Sequence, residues 1–338
     1  MKLLITTQVV DLDDPVLGFF HAWIEELSKH YEHVSVICLK EGRHSLPKNV
    51  SVYSLGKEKG VPRFSRALLL LRYIVALRSQ YDAVFVHMNP EYIVLCGLYF
   101  KAMGKKMVLW YMHKSVDLKL RIATLLVDTI LTASKESFRL GSPKVKVVGH
   151  GIMIPEVVHK NKSGTFRILT AGRITKSKHV FEMLDAMQVL AKQHVDFTFT
   201  IVGAPATRDD KKYELLLREK IKIGFPNGTV VYLGGVPNAK VMELLATESD
   251  VFLNLSTTGS LDKAVLEALA HGVPAVSSNE AFRDILSSQN LFVEHVSAQE
   301  VASSLERARS ADPEPLREYV RTNHSLQKLI PKIVSSLS

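Results

Sequence analysis

The chain has 338 residues and a formal net charge of +9, with 46% hydrophobic and 23% charged residues. These values exclude an intrinsically disordered chain, a collagen-like rod and a coiled coil. No apolar run reaches the roughly 18–20 residues of a membrane-spanning helix, and no stretch resembles a cleavable signal peptide.

In the first half of the chain, short apolar strands alternate with helices. Strands are predicted at residues 2–7, 34–39, 50–53, 83–87, 106–111, 129–133 and 145–148. Helices are predicted at residues 17–30, 64–80, 92–103, 116–127 and 135–140. Nearly continuous apolar strands separated by helices indicate a parallel sheet that is covered on both faces.

The same pattern restarts after the polar residues 161–164. Strands are predicted at residues 166–171, 197–202, 230–233, 251–255 and 275–277. Helices are predicted at residues 180–193, 209–222, 239–247 and 261–270, and from residue 297 onward with a break at 312–315. Since one hydrophobic core rarely serves 338 residues, we predict an α/β protein of two Rossmann-like doubly wound domains, residues 1–155 and 165–338. The last helix could cross back to the first domain.

The distribution of charge indicates what kind of partner the chain binds, and the cysteine content indicates where the protein is located. Residues 1–155 carry 21 Lys and Arg against 13 Asp and Glu, whereas residues 156–338 carry 22 against 21. The basic first half suits an anionic partner, which could be nucleic acid, an anionic membrane or an acidic substrate. Cys38 and Cys96 lie in apolar segments, so we expect reduced core thiols in a cytoplasmic protein and no metal site built on cysteine.

Several familiar motifs are absent or ambiguous. No G-x-G-x-x-G follows a predicted strand and no G-K-[ST] occurs, which argues against a Rossmann dehydrogenase and a P-loop kinase. Residues 11–14, Asp-Leu-Asp-Asp, could hold a metal ion. Because they lie between a strand and a helix, we favour helix capping for them.

Two loops of the second domain carry the main chemical signals. Residues 172–178, Gly-Arg-Ile-Thr-Lys-Ser-Lys, follow a strand, and Arg173 and Lys178 could bind phosphate beside a helix N-terminus. A solvated basic loop is the alternative. Residues 256–268 form a small-residue loop and a helix in which Glu267 is flanked by apolar residues. A carboxylate there is costly to bury unless it accepts hydrogen bonds, which ligand hydroxyls could donate; a partly exposed glutamate is the alternative.

Together these loops resemble the donor-binding half of the retaining glycosyltransferases of family 4, the glycosyl transferases group 1, which have the GT-B fold. That family has Gly-Arg-hydrophobic with a Lys five residues after the Arg, and two glutamates separated by seven residues and ending in Leu-Glu-Ala. Residues 271–276, His-Gly-Val-Pro-Ala-Val, resemble the strand that follows. Residues 234–236 resemble the loop that contacts the base, and residues 147–152 resemble the entry to the linker. The four motifs occur in order, and the resemblance covers nearly the whole chain.

The resemblance implies roles for individual residues on the donor side. Arg173 and Lys178 would bind the donor diphosphate and act in catalysis. Glu267 would hold the ribose hydroxyls, and Val236 would contact the base through its backbone. The other candidates on the donor side are Gly259, Ser260, Asp262 and Lys263. The chain departs from the family at Gly259, where the first glutamate of the pair is expected, so Asp262 could replace that carboxylate and Lys263 could add charge at the diphosphate.

In the first domain, the family has a histidine at a strand end that contacts the donor sugar. His113 and His87 both fit. We favour His113 as the catalytic histidine, because it ends the strand that precedes the helix and strand leading to residues 132–134. His87 and Gly18, the remnant of a glycine-rich loop, are assigned to the acceptor side of the cleft between the two domains.

The implied function is a retaining glycosyltransferase that moves a sugar from a nucleotide-sugar donor to a glycan or lipid-linked acceptor, with no cofactor and no metal. Cationic side chains would stabilise the departing diphosphate instead. A sugar-nucleotide epimerase or phosphorylase-like enzyme on the same scaffold is the alternative. A basic nucleic-acid-binding protein is a third interpretation, but neither an aromatic-rich binding strand nor a recognition-helix pattern occurs, so we expect no nucleic-acid partner.

Residues 63–78 suggest where an anionic membrane could bind. Four arginines alternate with apolar residues, at positions 63, 66, 72 and 78. Six-residue steps rotate by about −120° around a helix, so these arginines do not form one stripe. Their long stems could still let the charged heads reach lipid phosphates, which would make the protein peripheral on the inner face of the membrane. The alternative is a helix packed on the sheet with solvated arginines.

Overall fold

The computed structural model describes residues 1–156, 164–257 and 260–338. The chain forms two compact units. One unit contains Met1–Gly151 together with Leu326–Ser338, and the other contains Ile152–Ser325.

The first unit is built on a parallel sheet with the strand order β3-β2-β1-β4-β5-β6-β7. Its strands are β1 (Lys2–Val10), β2 (His33–Glu41), β3 (Val50–Ser54), β4 (Ala83–His87), β5 (Lys106–Trp110), β6 (Thr129–Thr132) and β7 (Val145–Val147). The intervening helices are α1 (Phe20–Ser28), α2 (Arg63–Ala76), α3 (Pro90–Ala102) and α4 (Leu118–Leu126). The strand order reverses between β1 and β4, because β2 and β3 extend the sheet on one side of β1 and β4 begins the other.

The second unit repeats this plan. In the part that the structure describes, its parallel sheet has the order β10-β9-β8-β11-β12, so the order reverses between β8 and β11. The strands are β8 (Phe166–Ala171), β9 (Phe197–Val202), β10 (Val230–Gly234), β11 (Val251–Asn254) and β12 (Ala275–Ser277). The helices are α5 (Val180–Lys192), α6 (Arg208–Gly224), α7 (Asn238–Thr247), α8 (Lys263–Ala270), α9 (Arg283–Ser287), α10 (Ala298–Ala308) and α11 (Pro313–Asn323).

Helices cover both faces of the first sheet. Apolar residues of α2, α3 and α4 pack with the sheet into one buried core. On the opposite face, Trp23 of α1 meets Trp110 of β5 edge to face, with ring centroids 5.0 Å apart. The last helix, α12 (Leu326–Leu337), contacts α1, β4 and β5 and belongs to the first unit. The predicted α/β class with doubly wound parallel sheets is therefore confirmed.

Two local predictions in the first unit are wrong. Residues 135–140 form turns rather than a helix: the N–H groups of Ser137 and Phe138 donate to carbonyls three residues earlier, at 3.3 and 3.4 Å, and Gly141 and Pro143, which are poor helix formers, follow at once. The helix predicted from residue 17 begins at Phe20, since the Asp14 carboxylate accepts hydrogen bonds from the N–H groups of Val16 and Leu17 and caps a turn ahead of α1. In the described part of the chain, no helix is long and apolar enough to cross a bilayer.

Candidate functional site

The predicted phosphate-binding loops meet at the carboxyl edge of the second sheet, where the strand order reverses. The loop after β8 contains Lys178, and the loop after β11 ends at Asp262. These residues are 84 positions apart in the chain, but β8 pairs directly with β11. Open α/β sheets bind ligands in the crevice at such a reversal.

An ion pair between Lys178 and Asp262 joins the two loops, and their side chains are only 16% and 14% exposed. The Asp262 carboxylate also accepts hydrogen bonds from Asn254 Nδ2 at 3.0 Å and from the N–H of Ala264 at 3.3 Å, which makes Asp262 the N-cap of α8. Burial alone would raise the pKa of Asp262, but the Lys178 charge and these hydrogen bonds outweigh it and hold the pKa below its ordinary value. Asp262 is therefore an ionised carboxylate that fixes the Lys178 ammonium.

Arg173 lies in the same loop as Lys178, and its side chain is exposed. The loop backbone is held in place, because the N–H of Gly172 donates to the last carbonyl of β9 at 3.0 Å and the N–H of Ile174 donates to the carbonyl of Ala204, just after β9, at 3.1 Å. A Cβ atom on Gly203 would lie 1.7 Å from the carbonyl oxygen of Gly172, so only glycine fits where β9 meets this loop. The backbone is thus fixed while the guanidinium of Arg173 is accessible.

Glu267 is buried in α8, with 7% of its surface exposed. Lys263, one turn earlier on the same helix, forms an ion pair with it. This contact supplies the compensation that a buried carboxylate needs. Lys263 is therefore held on Glu267, and the two predicted site residues form one unit on α8.

The other residues predicted on the donor side lie on neighbouring loops. Val236 is half-buried between β10 and α7. The carbonyl oxygen of Ser260 accepts a hydrogen bond from Asn279 Nδ2 at 2.8 Å, which anchors the loop just ahead of Asp262. Gly259 lies outside the described residues.

Three buried polar residues near the ends of β11 and β12 were not predicted. Asn254 Oδ1 accepts a hydrogen bond from Ser277 Oγ at 3.2 Å, and Ser277 Oγ accepts one from the N–H of Asn279 at 3.1 Å. Through Asn254 this network reaches Asp262. Asn254 and Ser277 are the last residues of otherwise apolar strands, which is the sequence signal that could have identified them.

The two candidate histidines of the first unit lie in different surroundings. His113 follows β5 and is exposed, and its Nδ1 accepts a hydrogen bond from the N–H of Ser115 at 3.0 Å. His87 ends β4 and is 1% exposed, with its ring stacked on Phe20 at 3.9 Å between centroids. Burial, with a contribution from His150, lowers the pKa of His87 to about 3. His87 is thus a neutral core residue, and of the two candidates His113 is the accessible one.

Gly18 lies in the turn between β1 and α1. Its N–H donates to the carbonyl oxygen of Asp14 at 3.1 Å, and a Cβ atom on Gly18 would lie 2.7 Å from that oxygen. The tight turn therefore accounts for glycine at this position. Among the residues that the structure describes, no group of three or more His, Cys, Asp or Glu side chains is placed to hold a metal ion.

Comparison with known families identifies the second unit. The model of the family described as glycosyl transferases group 1 matches residues 156–325, half of the chain. This chain belongs to the group 1 glycosyltransferases. The matched range nearly coincides with the second unit, which contains the loops joined by Lys178 and Asp262.

Individual relatives agree with this family. The glycosyltransferase AmsK of amylovoran biosynthesis from Erwinia amylovora is 30% identical over 121 residues, which span 34% of this glycosyltransferase and 28% of AmsK. Anabaena Alr3699/HepE, solved in complex with UDP, covers 100% of this chain and 99% of its own with a TM-score of 0.75 and 16% identity. The match to sucrose-phosphate synthase from Thermosynechococcus elongatus covers 99% of this chain and 98% of the synthase, with a TM-score of 0.73 and 12% identity. At these identities the structural likeness shows the fold, which is the predicted GT-B fold.

Proposed function

We propose that this chain transfers a sugar from a nucleotide-sugar donor to an acceptor with retention of the anomeric configuration and without a metal ion. The observation that carries the proposal is the ion pair of Lys178 and Asp262 at the strand-order reversal of the second sheet. It presents a fixed ammonium at the place where such sheets bind phosphate-containing ligands. The likeness to HepE, which was solved with UDP and with UDP-glucose, supports a nucleotide-sugar donor.

The proposed chemistry depends on stabilising the departing nucleoside diphosphate. Negative charge grows on the diphosphate as the glycosidic bond breaks, and preorganised cations lower the barrier most when they need not reorient. Lys178 is already fixed by Asp262, and the exposed guanidinium of Arg173 lies in the same loop. The N-terminus of α8 adds its positive dipole end. These groups take the role that a divalent cation would otherwise fill.

Retention is what the resemblance to family 4 implies, and within a retaining transfer we propose front-face attack over double displacement because the candidate carboxylates are already engaged. Asp262 is held by Lys178 and Asn254, and Glu267 is paired with Lys263. A double displacement needs a carboxylate at the anomeric carbon. We therefore assign front-face attack by the acceptor, with its proton passing to the departing phosphate. In this scheme Glu267 holds the ribose hydroxyls, and His113 contacts the donor sugar.

We also propose that the first unit docks on an anionic membrane through α2. Phe64, Leu68, Leu71 and Val75 are exposed by 39–75%. At 3.6 residues per turn they fall within about 60° of one another on the helix, so they form an apolar stripe. The exposed Arg63, Arg72 and Arg78 lie nearer this stripe than Arg66, which is on the opposite side of α2, and each basic residue near an anionic leaflet adds about 1 kcal/mol. The arginines alone form no stripe, but the exposed apolar side chains do.

Cosedimentation with vesicles tests the docking. We expect the protein to sediment with phosphatidylglycerol vesicles at low salt and to stay in the supernatant with phosphatidylcholine vesicles. The double variant Phe64→Ser/Leu68→Ser should lose this binding, whereas Leu215→Ser/Leu216→Ser, at exposed leucines of α6, should keep it. Equal recovery of the wild type with both lipids would refute membrane docking.

The transferase reaction is tested by incubating the protein with a panel of nucleotide sugars, starting with UDP-sugars. A transferase without its acceptor should release the nucleoside diphosphate slowly, and EDTA should not stop this release. The Arg173→Ala variant should release no nucleoside diphosphate. Proton NMR of the first sugar product would give its anomeric configuration. Conversion of the nucleotide sugar to its epimer, without release of diphosphate, would instead establish the epimerase alternative.

A further inference from the structure

A cavity of about 510 Å³ opens at the carboxyl edge of the first sheet. It is lined by residues near the carboxyl ends of β1 and β2, by residues that follow β3 and β4, and by the first two turns of α2 and α3. The strand order of this sheet reverses between β1 and β4. The cavity thus lies at the ligand-binding position of the first unit, whereas Lys178 and Asp262 belong to the second unit.

A hydrogen bond between two lining residues of this cavity connects β1 to the segment after β4, where the strand order reverses. Gln8 of β1 donates a hydrogen bond through its Nε2 to Asn89 Oδ1, just after β4, at 2.8 Å. Met88, between β4 and Asn89, has a φ of 66°, which is unusual for a residue other than glycine. Backbone strain of this kind costs free energy and is concentrated at active sites and ligand sites.

Three cationic side chains line the cavity: Lys57, Arg63 and Arg66. Arg63 and Arg66 are in the first turn of α2, where the helix dipole is also positive, so their placement opposes helix stability. The Nε–H of Arg66 is buried and has no hydrogen-bond partner in the described part of the chain. Glu91 also lines the cavity, but its carboxylate pairs with Lys119 at 2.8 Å. The cavity therefore has an uncompensated positive charge and an unused donor.

The remaining wall is apolar and leads outwards. Leu39, Leu55 and Leu70 line the cavity, together with Leu95 of α3. Leu95 is 50% exposed, and Leu98, on the next turn, is 72% exposed. An apolar surface therefore continues from the cavity along α3. A free phosphate would leave this wall uncovered, and an uncharged sugar would leave the arginines unpaired.

We infer that this cavity binds the phosphate or diphosphate group of an amphiphile whose hydrocarbon chain lies along the leucines of α3. The anionic group would pair with Arg63 and Arg66, which form strong charge-assisted hydrogen bonds to phosphate. The inference rests on the proposed function for the role of this ligand: it would be the acceptor, carried on a lipid phosphate. The binding itself involves only residues of the first unit.

Isothermal titration calorimetry with farnesyl diphosphate, kept below its micelle-forming concentration, tests this site. We expect the Arg63→Gln/Arg66→Gln variant to bind at least tenfold more weakly than the wild type. Arg72→Gln, which removes an exposed arginine of α2 outside the cavity, should bind as the wild type does. Inorganic diphosphate and farnesol should each bind at least tenfold more weakly than farnesyl diphosphate. Thermal melts and UDP titrations of each variant would verify its fold.

The outcomes separate this inference from the proposed function. Unchanged affinity in Arg63→Gln/Arg66→Gln, or an equal loss in Arg72→Gln, would overturn the cavity assignment while leaving UDP binding to the second unit unaffected. Loss of farnesyl diphosphate binding in Arg173→Ala would place the ligand in the second unit and also overturn it. A third outcome is that the protein binds phosphatidylglycerol vesicles only when Arg63 and Arg66 are present, but does not bind farnesyl diphosphate. The cavity would then recognise a phospholipid headgroup, and the acceptor assignment would be wrong.

Discussion

The Lys178 ammonium and the Asp262 carboxylate form an ion pair between two loops that follow neighbouring strands of the second sheet. Asp262 performs two further tasks, since it caps α8 and accepts a hydrogen bond from Asn254. The position of the Lys178 ammonium, which we propose to bind the diphosphate, is thus coupled to the start of the helix that carries Glu267. Substitutions in this region should separate binding from stability in specific ways.

Replacing Arg173 with alanine should weaken nucleoside diphosphate binding by more than tenfold. A charge-assisted hydrogen bond contributes roughly 1.5–3 kcal/mol, and the exposed side chain can be removed without disturbing the packing. Lys176→Ala, an exposed lysine in the same loop, is the matched control and should have a much smaller effect. Calorimetric titration with UDP and other nucleoside diphosphates measures both. Unchanged affinity in Arg173→Ala would remove this residue from the site.

Asp262→Asn should destabilise the protein but leave UDP affinity unchanged or higher. Breaking a buried ion pair costs about 3 kcal/mol, while loss of a negative charge beside Lys178 removes repulsion of the diphosphate. Because the pKa of Asp262 lies below its ordinary value of 3.8, the stability difference from the wild type should be complete at neutral pH. It should shrink as the pH falls through that lowered pKa. Denaturant unfolding at several pH values measures this, and a difference that grows in acid would contradict the assignment.

Glu267→Gln should weaken the binding of nucleoside diphosphate and nucleotide sugar by the same factor. The variant keeps the shape of the side chain but removes the charged acceptor that we propose for the ribose hydroxyls, which both ligands share. Glu243→Gln, on the exposed face of α7, is the control. Titrations with UDP and with a UDP-sugar provide the comparison. A loss confined to the sugar-dependent part of binding would mean that Glu267 contacts the sugar instead of the ribose.

His87 should make the stability of the protein depend on pH in the mildly acidic range. Its pKa is about 3 in the folded protein, because of burial, against 6.5 for an ordinary histidine. Between these values only the unfolded chain binds the proton. This residue therefore lowers the free energy of unfolding by about 1.4 kcal/mol for each unit by which the pH is lowered. His87→Gln should therefore show a shallower slope between pH 6.5 and pH 3 than the wild type. The exposed His30→Gln serves as control, and identical slopes in all three proteins would disprove the role of burial.

Local sequence patterns predict the elements of this fold well, because strand and helix periodicity is set by which residues face the core. The loops with Arg173 and Lys178 and with Asp262 could be located because each follows an apolar strand. The pairing of Lys178 with Asp262 could not be predicted, since it depends on β8 lying next to β11. Strand order is a long-range property that hydrophobic periodicity does not contain.

Burial of polar side chains was harder to predict. His87 and His113 both end or follow apolar strands, and they differ in tertiary packing: His87 is buried against Phe20 and Trp23, whereas His113 is exposed. The sequence suggests that Lys263 could add charge at the diphosphate but does not show its partner: Lys263 lies one helical turn from Glu267 and pairs with it. An i,i+4 pairing rule would have indicated this contact.

The connections between the two units affect how the chain can fold. The first unit is completed by α12, which is separated from Gly151 by the whole of Ile152–Ser325. Closing so long a loop in an unfolded chain is entropically unfavourable and slow. However, Ile152 and Ser325 form a parallel bridge, and the N–H of Ile152 donates to the carbonyl of His324 at 2.7 Å. Once the second unit has folded, its two ends are adjacent, and α12 needs only a short search to reach the first unit. We therefore expect the second unit to fold before the first unit is completed.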